Sequence, residues 1–315
     1  MRLRHPSGRI VHLSCGISLD QAETVPDAVT HLDAVTSALR ARFGTGTLGV
    51  ALRLPLPLAA ALADDGRART RLRTELDARG LEVVTLSGVP VPEGGGETPS
   101  SPSPSDSSAE PASPGADWST TARLRQTLEL ARILVDLLPF EEVRGAVATC
   151  GLGRREGWDE TKERAVARHL GRLSGGLADL AWRVGRAVRA GFQPAPGRVL
   201  DSPEDTVTAL SRVDKDRLGI CLDLTTVLRD WPDPEAGIDR LTDAGLSVIT
   251  ARITDPRTAW QPVLRHLLAA DTARTEYVDV DTPGAPDEAA AALSYVLEEL
   301  TGIGLVPEQQ PCTAP

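Results

Sequence analysis

Lysine is nearly missing from this chain. Of 34 basic residues only Lys162 and Lys215 are lysines, and the arginines are scattered over helical stretches rather than gathered in a block. Together with a net charge of −10, that scatter argues against a polyanion-binding face, so neither nucleic acid nor an anionic membrane is an expected partner. Histidine is scarce too. His5 lies in the N-terminal arm, His12 in a strand pattern, and His31, His169 and His266 on helical patterns, where surface or packing roles are expected. No Ser/His/Asp or Cys/His arrangement can be assembled from them. The four cysteines, Cys15, Cys150, Cys221 and Cys312, show no C-x-x-C and no metal-ligand spacing. They read as buried free thiols in a reducing compartment.

Long apolar runs are also lacking. The longest, Leu54 to Ala63, is interrupted by Pro55 and Pro57 and is far short of a membrane span. The opening Met1-Arg2-Leu3-Arg4-His5-Pro6 has no signal-peptide apolar core. A soluble, cytoplasmic protein with no transmembrane segment is expected. With 315 residues and 41% apolar content, one large domain can bury a sizeable core.

What the chain does have is a repeated alternation of strand and helix. The clearest unit runs from Gly191 to Thr226. Two short apolar runs end at Gln193 and Asp223, with Ser202-Pro203-Glu204-Asp205 between them as a helix start. The same rhythm predicts strands at Ile10–Cys15, Leu48–Leu52, Leu81–Leu86, Val143–Cys150, Leu246–Ile253 and Tyr277–Asp281. Helices are predicted over 26–42, 58–79, 118–138, 159–188, from Asp233-Pro234 to Gly245, from Asp255-Pro256 onward, and over 286–301. Eight strands alternating with helices predict a (β/α)8 TIM barrel in a single domain, residues 1–315. A doubly wound open sheet is the alternative, but Cys15-Gly16-Ile17-Ser18 is not its glycine-rich phosphate turn, and Gly94-Gly95-Gly96 carries no P-loop signal. Pro90 to Asp117, rich in Pro, Gly, Ser and acid, is expected to be a disordered loop at the C-terminal rim, and 307–315 a loose tail.

Leu76-Asp77-Ala78-Arg79-Gly80-Leu81-Glu82-Val83-Val84-Thr85-Leu86-Ser87-Gly88, the Phe192 to Gly197 turn and Leu218 to Asp223 resemble the EboE-type metabolite traffic proteins. Those are xylose isomerase-like TIM barrels related to sugar phosphate isomerases and epimerases. The resemblance covers His12 to Leu305. It implies an isomerase or epimerase acting on a small metabolite in a biosynthetic or traffic pathway, with pathway proteins as further partners.

The departures from that pattern bear on the chemistry. The family's Glu-Pro-Glu-Pro-Gly turn has Gln193 and Ala195 in place of its acids. Its Asp-x-x-His on the sixth strand keeps Asp223 but has Thr226 for the histidine. Its seventh-strand Lys and Gln appear as Thr250 and Arg252, and its Glu-Thr-Tyr as Asp281-Thr282-Pro283. Isomerases of this class move a proton beside a carbonyl and often use a divalent metal as electrophile. With only Asp223 and Asp281 left as carboxylates, no cofactor is expected and a tight metal site is disfavoured.

The expected substrate-binding residues are Gln193, Asp223, Arg252 and Asp281. Each has a plainer reading. Gln193 would be a satisfied polar residue, Asp223 an acceptor of N–H groups at its strand end, Asp281 part of a turn with Thr282-Pro283. Cys221, two residues before Asp223, would be a structural thiol. Strand alternation points Val248, Thr250 and Arg252 inward and Ile249, Ala251 and Ile253 outward. Arg252 would then either be closed off by Asp223 and Asp281 or hold a ligand's phosphate or carboxylate. The alternative function is a catalytically degenerate barrel that binds a small anionic metabolite or a pathway partner without chemistry.

Overall fold

The apolar runs do become strands, and each stops where polar residues begin. The computed structural model describes residues 1–44, 46–88, 117–270 and 272–308. In chain order the elements are β1 (Arg2–Arg4), β2 (Ile10–Ser18), α1 (Val25–Phe43), β3 (Leu48–Leu54), α2 (Leu56–Asp64), α3 (Gly66–Ala78) and β4 (Leu81–Gly88). There follow α4 (Thr121–Leu137), β5 (Arg144–Cys150), α5 (Glu160–Val184), β6 (Ala187–Gln193), α6 (Pro203–Leu210), β7 (Leu218–Asp223) and α7 (Leu224–Asp230). The chain continues with α8 (Pro234–Asp243), β8 (Val248–Ile253), α9 (Trp260–Ala269), β9 (Tyr277–Val280), α10 (Pro286–Gly302) and β10 (Val306–Pro307).

Strands β2 to β9 pair in parallel, each with the next, and β2 also pairs with β9 from His12↔Tyr277 to Cys15↔Val280. That last pairing closes the sheet into an eight-stranded barrel and excludes the open-sheet alternative. At the N-terminal end β1 runs antiparallel beside Ile10–His12 of β2, and β10 pairs in turn with β1. The expected loose tail therefore begins as an edge strand at Val306–Pro307; residues 309–315 lie outside the described residues, as do 90–116 of the expected disordered loop.

The helices form where caps and apolar stripes coincide. Ser202 caps α6 in a box with Asp205, and Thr24 does the same for α1 with Asp27. Along α5, Val166, Leu170, Leu173, Leu177 and Leu180 are buried against the barrel, each leucine worth roughly 1.5–3 kcal/mol. Gly185, at φ 70°, takes the left-handed cap that ends α5. The predicted helix therefore stops short of Val188, which is already in β6.

Three other expectations shift locally. The predicted 58–79 helix is two, because Asp65 turns its carboxylate onto the N–H of Arg67 and starts α3. Asp255 opens a turn rather than a helix, accepting from the N–H of Arg257, and α9 starts at Trp260. Helix α7, unanticipated, starts directly from Asp223.

Candidate binding site at the barrel mouth

Alternation along the strands turns one set of side chains into the barrel. At its C-terminal end this set includes Arg53 of β3, Ser87 of β4, Cys150 of β5, Gln193 of β6 and Arg252 of β8, with Asp281 just past β9. They line a cavity of about 830 Å³ that also takes in Arg123 of α4 and Arg198. Among the described residues, four arginines and two aspartates, Asp20 and Asp281, line it.

Arg252 is the centre of the arrangement, with its side chain 11% exposed. Its Nη1 donates to Oε1 of Gln193 at 3.1 Å. Its Nε stands 3.7 Å from Oδ2 of Asp281, an ion-pair distance too long for a hydrogen bond, and has no hydrogen-bond partner among the described residues. Burial works against the charge, but the surrounding acids outweigh it and raise the pKa of Arg252. The thiol of Cys221 adds to that field only where it ionises, and burial pushes it up to about 11. The carboxylates of Asp281 and Asp223, with Asp279 where it is ionised, hold the cation. Asp281 is bound more tightly from the other side, by Nη2 of Arg53.

Asp223 points elsewhere. Its Oδ1 accepts from the N–H of Thr225 at 3.1 Å and the hydroxyl of Thr254 at 3.0 Å, and its Oδ2 from the hydroxyl of Thr226 at 3.0 Å. Its acceptors are occupied as the cap of α7, and it does not line the cavity. Of the two acids proposed from sequence as partners of Arg252, only Asp281 engages it.

One turn of the strand below, Asp279 is 3% exposed and faces Arg252 across the β8–β9 register. The hydroxyl of Thr85 donates to its Oδ1 at 3.1 Å. Burial pushes its carboxyl up to about 7, against the opposing field of Arg252. A cleft of about 10 Å³, lined by Thr85, Thr250, Arg252, Asp279 and Asp281, continues the mouth down to it. That is close to the room one water needs.

A hard divalent cation, which this barrel class often carries, needs several anionic or carbonyl oxygens converging on one point. Here Asp281 faces two guanidinium groups, the oxygens of Asp223 are taken, and the amide oxygen of Gln193 accepts from Arg252. Among the described residues no three His, Cys, Asp or Glu side chains gather as a metal set. The described residues at the mouth do not fit a resident divalent metal.

The structure brings Gln193, Arg252 and Asp281 together and sets Asp223 apart. Sequence reasoning missed Arg53 because β3 was ended at Leu52; the strand runs on to Leu54. It also missed Asp279, although the two-residue spacing from Asp281 gave both the same face. Of the thiols expected to be buried, Cys15 and Cys221 are, whereas Cys150 is half-buried and lines the cavity. Cys312 lies outside the described residues.

No family model matches the chain, and no curated protein matches it. Solved structures do. One is a xylose isomerase-like TIM barrel protein from Mycobacterium smegmatis in complex with magnesium: 14% identical, TM-score 0.59, covering 95% of this chain and 94% of that one. A second is D-allulose 3-epimerase from Methylomonas sp. in complex with D-allulose: 9% identical, TM-score 0.59, covering 95% and 100%. A third is 3-keto-D-glucoside 4-epimerase from E. coli: 12% identical, TM-score 0.56, covering 92% and 99%. At these identities the likeness establishes the fold, a xylose isomerase-like TIM barrel.

Proposed function

We propose that the barrel mouth binds a small anionic, hydroxyl-rich metabolite, a sugar phosphate or sugar acid, without a resident metal. The observation that carries this reading is Arg252, which lines the cavity and whose buried Nε has no hydrogen-bond acceptor among the described residues. An unsatisfied buried donor costs about 1–3 kcal/mol, more when charged. A ligand oxygen would satisfy it and, with Arg53, offer a bidentate hold on a phosphate or carboxylate. Thr282, whose buried Oγ1 also has no hydrogen-bond partner among the described residues, adds a second polar group on the same wall. Gln193 and Asp281 would orient the ligand's hydroxyls, and Asp223 would act at one remove by fixing Thr254.

A second reading, an EboE-like isomerase or epimerase in a metabolite-traffic pathway, is favoured by Asp279. A buried carboxyl poised near neutrality could, through the one water that the cleft has room for, take a proton from the carbon beside a carbonyl and return it, while Arg252 holds the enolate oxygen. Such a protein would work in the cytoplasm beside pathway partners; no described helix is long and apolar enough to cross a membrane.

Calorimetry and thermal shift with phosphorylated and carboxylated sugars test the first reading. Binding that persists in EDTA, with no rise in Tm from Mg²⁺, Mn²⁺ or Zn²⁺ alone, is expected; a ligand at a hundred times its Kd adds about 2.7 kcal/mol. No stabilisation by any such anion would overturn it. Deuterium wash-in from D2O at the carbon beside the carbonyl, lost in Asp279→Asn, would support the second.

A further inference from the structure

The end of the barrel opposite the mouth carries an apolar surface that the binding site does not explain. Phe140 is 85% exposed and Val143 58%, both in the connection between α4 and β5. Trp182 is 81% exposed and Val184 44%, both in the last turn of α5. These are four of the six large apolar side chains found exposed among the described residues. They sit just before β5 and β6, which are neighbours in the barrel with Arg144 opposite Ala187. They therefore share one rim.

The two segments are fastened to each other. Ala187 donates its N–H to the carbonyl of Val143 at 2.8 Å. Arg186 reaches across with Nη1 to the carbonyls of Val135 and Leu138, both at 3.0 Å. Gly185 closes α5 between them. A surface held this way loses little conformational freedom when it is covered. Its two aromatics offer roughly 150–250 Å² each, and Trp and Phe are the kind of side chain that anchors interfaces.

The charge around the patch says what fits. The connection contributes Glu141, Glu142 and Arg144, and the end of α5 with its exit contributes Asp179, Arg183 and Arg186; Glu142 and Arg186 are half-buried and the other four exposed, so the two segments together carry three acids and three bases. The rim is locally neutral in a chain of net charge −10. Two acidic copies repel over most of their surfaces, but not here. A two-fold axis through the patch would set the Glu141 edge of one copy against the Arg183 edge of the other, as a self-complementary interface requires; within one copy Glu141 stands 3.6 Å from Arg2.

We propose that this rim is a homodimer interface, with Trp182 and Phe140 stacked at its centre and the two mouths facing away from each other. It is independent of the anion-binding reading. Sedimentation velocity of the full chain across the micromolar range should show a dimer. Trp182→Glu and Phe140→Glu should sediment as folded monomers whose Tm no longer rises with protein concentration, since both side chains project from the surface; Trp182→Ser repeats the test without a new charge. Glu141→Arg or Arg183→Glu alone should weaken the dimer, and the two combined should restore it. A wild type that stays monomeric overturns the proposal and leaves the surface to another protein. A Trp182→Glu variant that dimerises as well as the wild type overturns it equally.

Discussion

Asp281 lies against the bare backbone of Gly16: a Cβ added at Gly16 would stand 2.7 Å from Oδ1 of Asp281 and 2.9 Å from its Cα. The missing side chain on β2 is what lets Asp281 settle between Arg53 and Arg252. The position of the acid thus depends on a residue that has no chemistry of its own.

Gly16→Ala should therefore push Asp281 away from its backbone contact. The expected cost is about 1–3 kcal/mol, the usual penalty for overpacking. Anion affinity should change in the same variant, because Arg53 and Arg252 lose their shared counter-charge. Urea denaturation alongside calorimetry checks it; a variant with wild-type stability and affinity would show that Asp281 has slack.

Removing the central cation separates binding from structure. Arg252→Met keeps the stem that packs in the barrel and removes the donors. Affinity for a phosphorylated sugar should fall about 10- to 100-fold, as for a charged hydrogen bond worth about 1.5–3 kcal/mol. Arg53→Met should weaken binding less, since Arg53 is the more exposed at 26%. If Arg252→Met loses stability while the wild type binds no phosphate or carboxylate at all, Arg252 is structural and the site is closed.

The buried acid gives stability a pH dependence of definite sign. Asp279 holds its proton in the folded state up to about 7, whereas an unfolded carboxyl releases it near about 3.9. Its contribution is full below about 3.9 and is lost as pH rises toward 7. At about 1.36 kcal/mol per pH unit the loss is on the order of a few kcal/mol. Asp279→Asn, which cannot ionise, should lack this slope and exceed the wild type above pH 7. His12, pushed down to about 3 by burial, acts in the opposite sense as pH falls; it is common to both proteins and cancels in the difference. Parallel pH profiles for the two would sink the assignment.

Thiol labelling offers a readout of the cavity. Burial pushes Cys15 up to about 12 and Cys221 up to about 11, and both are 0% exposed. Cys150 lines the mouth. In a Cys312→Ser background one thiol should react with iodoacetamide in the native protein and three after unfolding. A bound anion should slow the native reaction. Labelling of Cys221 before Cys150, followed by peptide mass mapping, would contradict the placement of β7.

Much of the barrel is legible in the sequence because its causes are local. The stripe Leu170, Leu173, Leu177 and the cap Ser202 act within a few residues, and so does the alternation that points Arg252 inward. The same locality limited the reading at element ends. Two residues more of β3 bring in Arg53, and one glycine, Gly185, ends α5 early. Neither is decided by periodicity, since pairing with the neighbouring strand sets how far a strand runs.

The sequence by itself determined the order of strands and helices and the inward face that carries Arg252, because each follows from side-chain chemistry at short range. Tertiary structure alone decided who meets whom at the mouth. Arg53 and Asp281 are 228 residues apart in the chain, and Asp223 and Arg252 sit side by side in the register yet do not pair. Electrostatic pairing falls off with distance through space and with solvent exposure. Both are set only when β9 closes on β2.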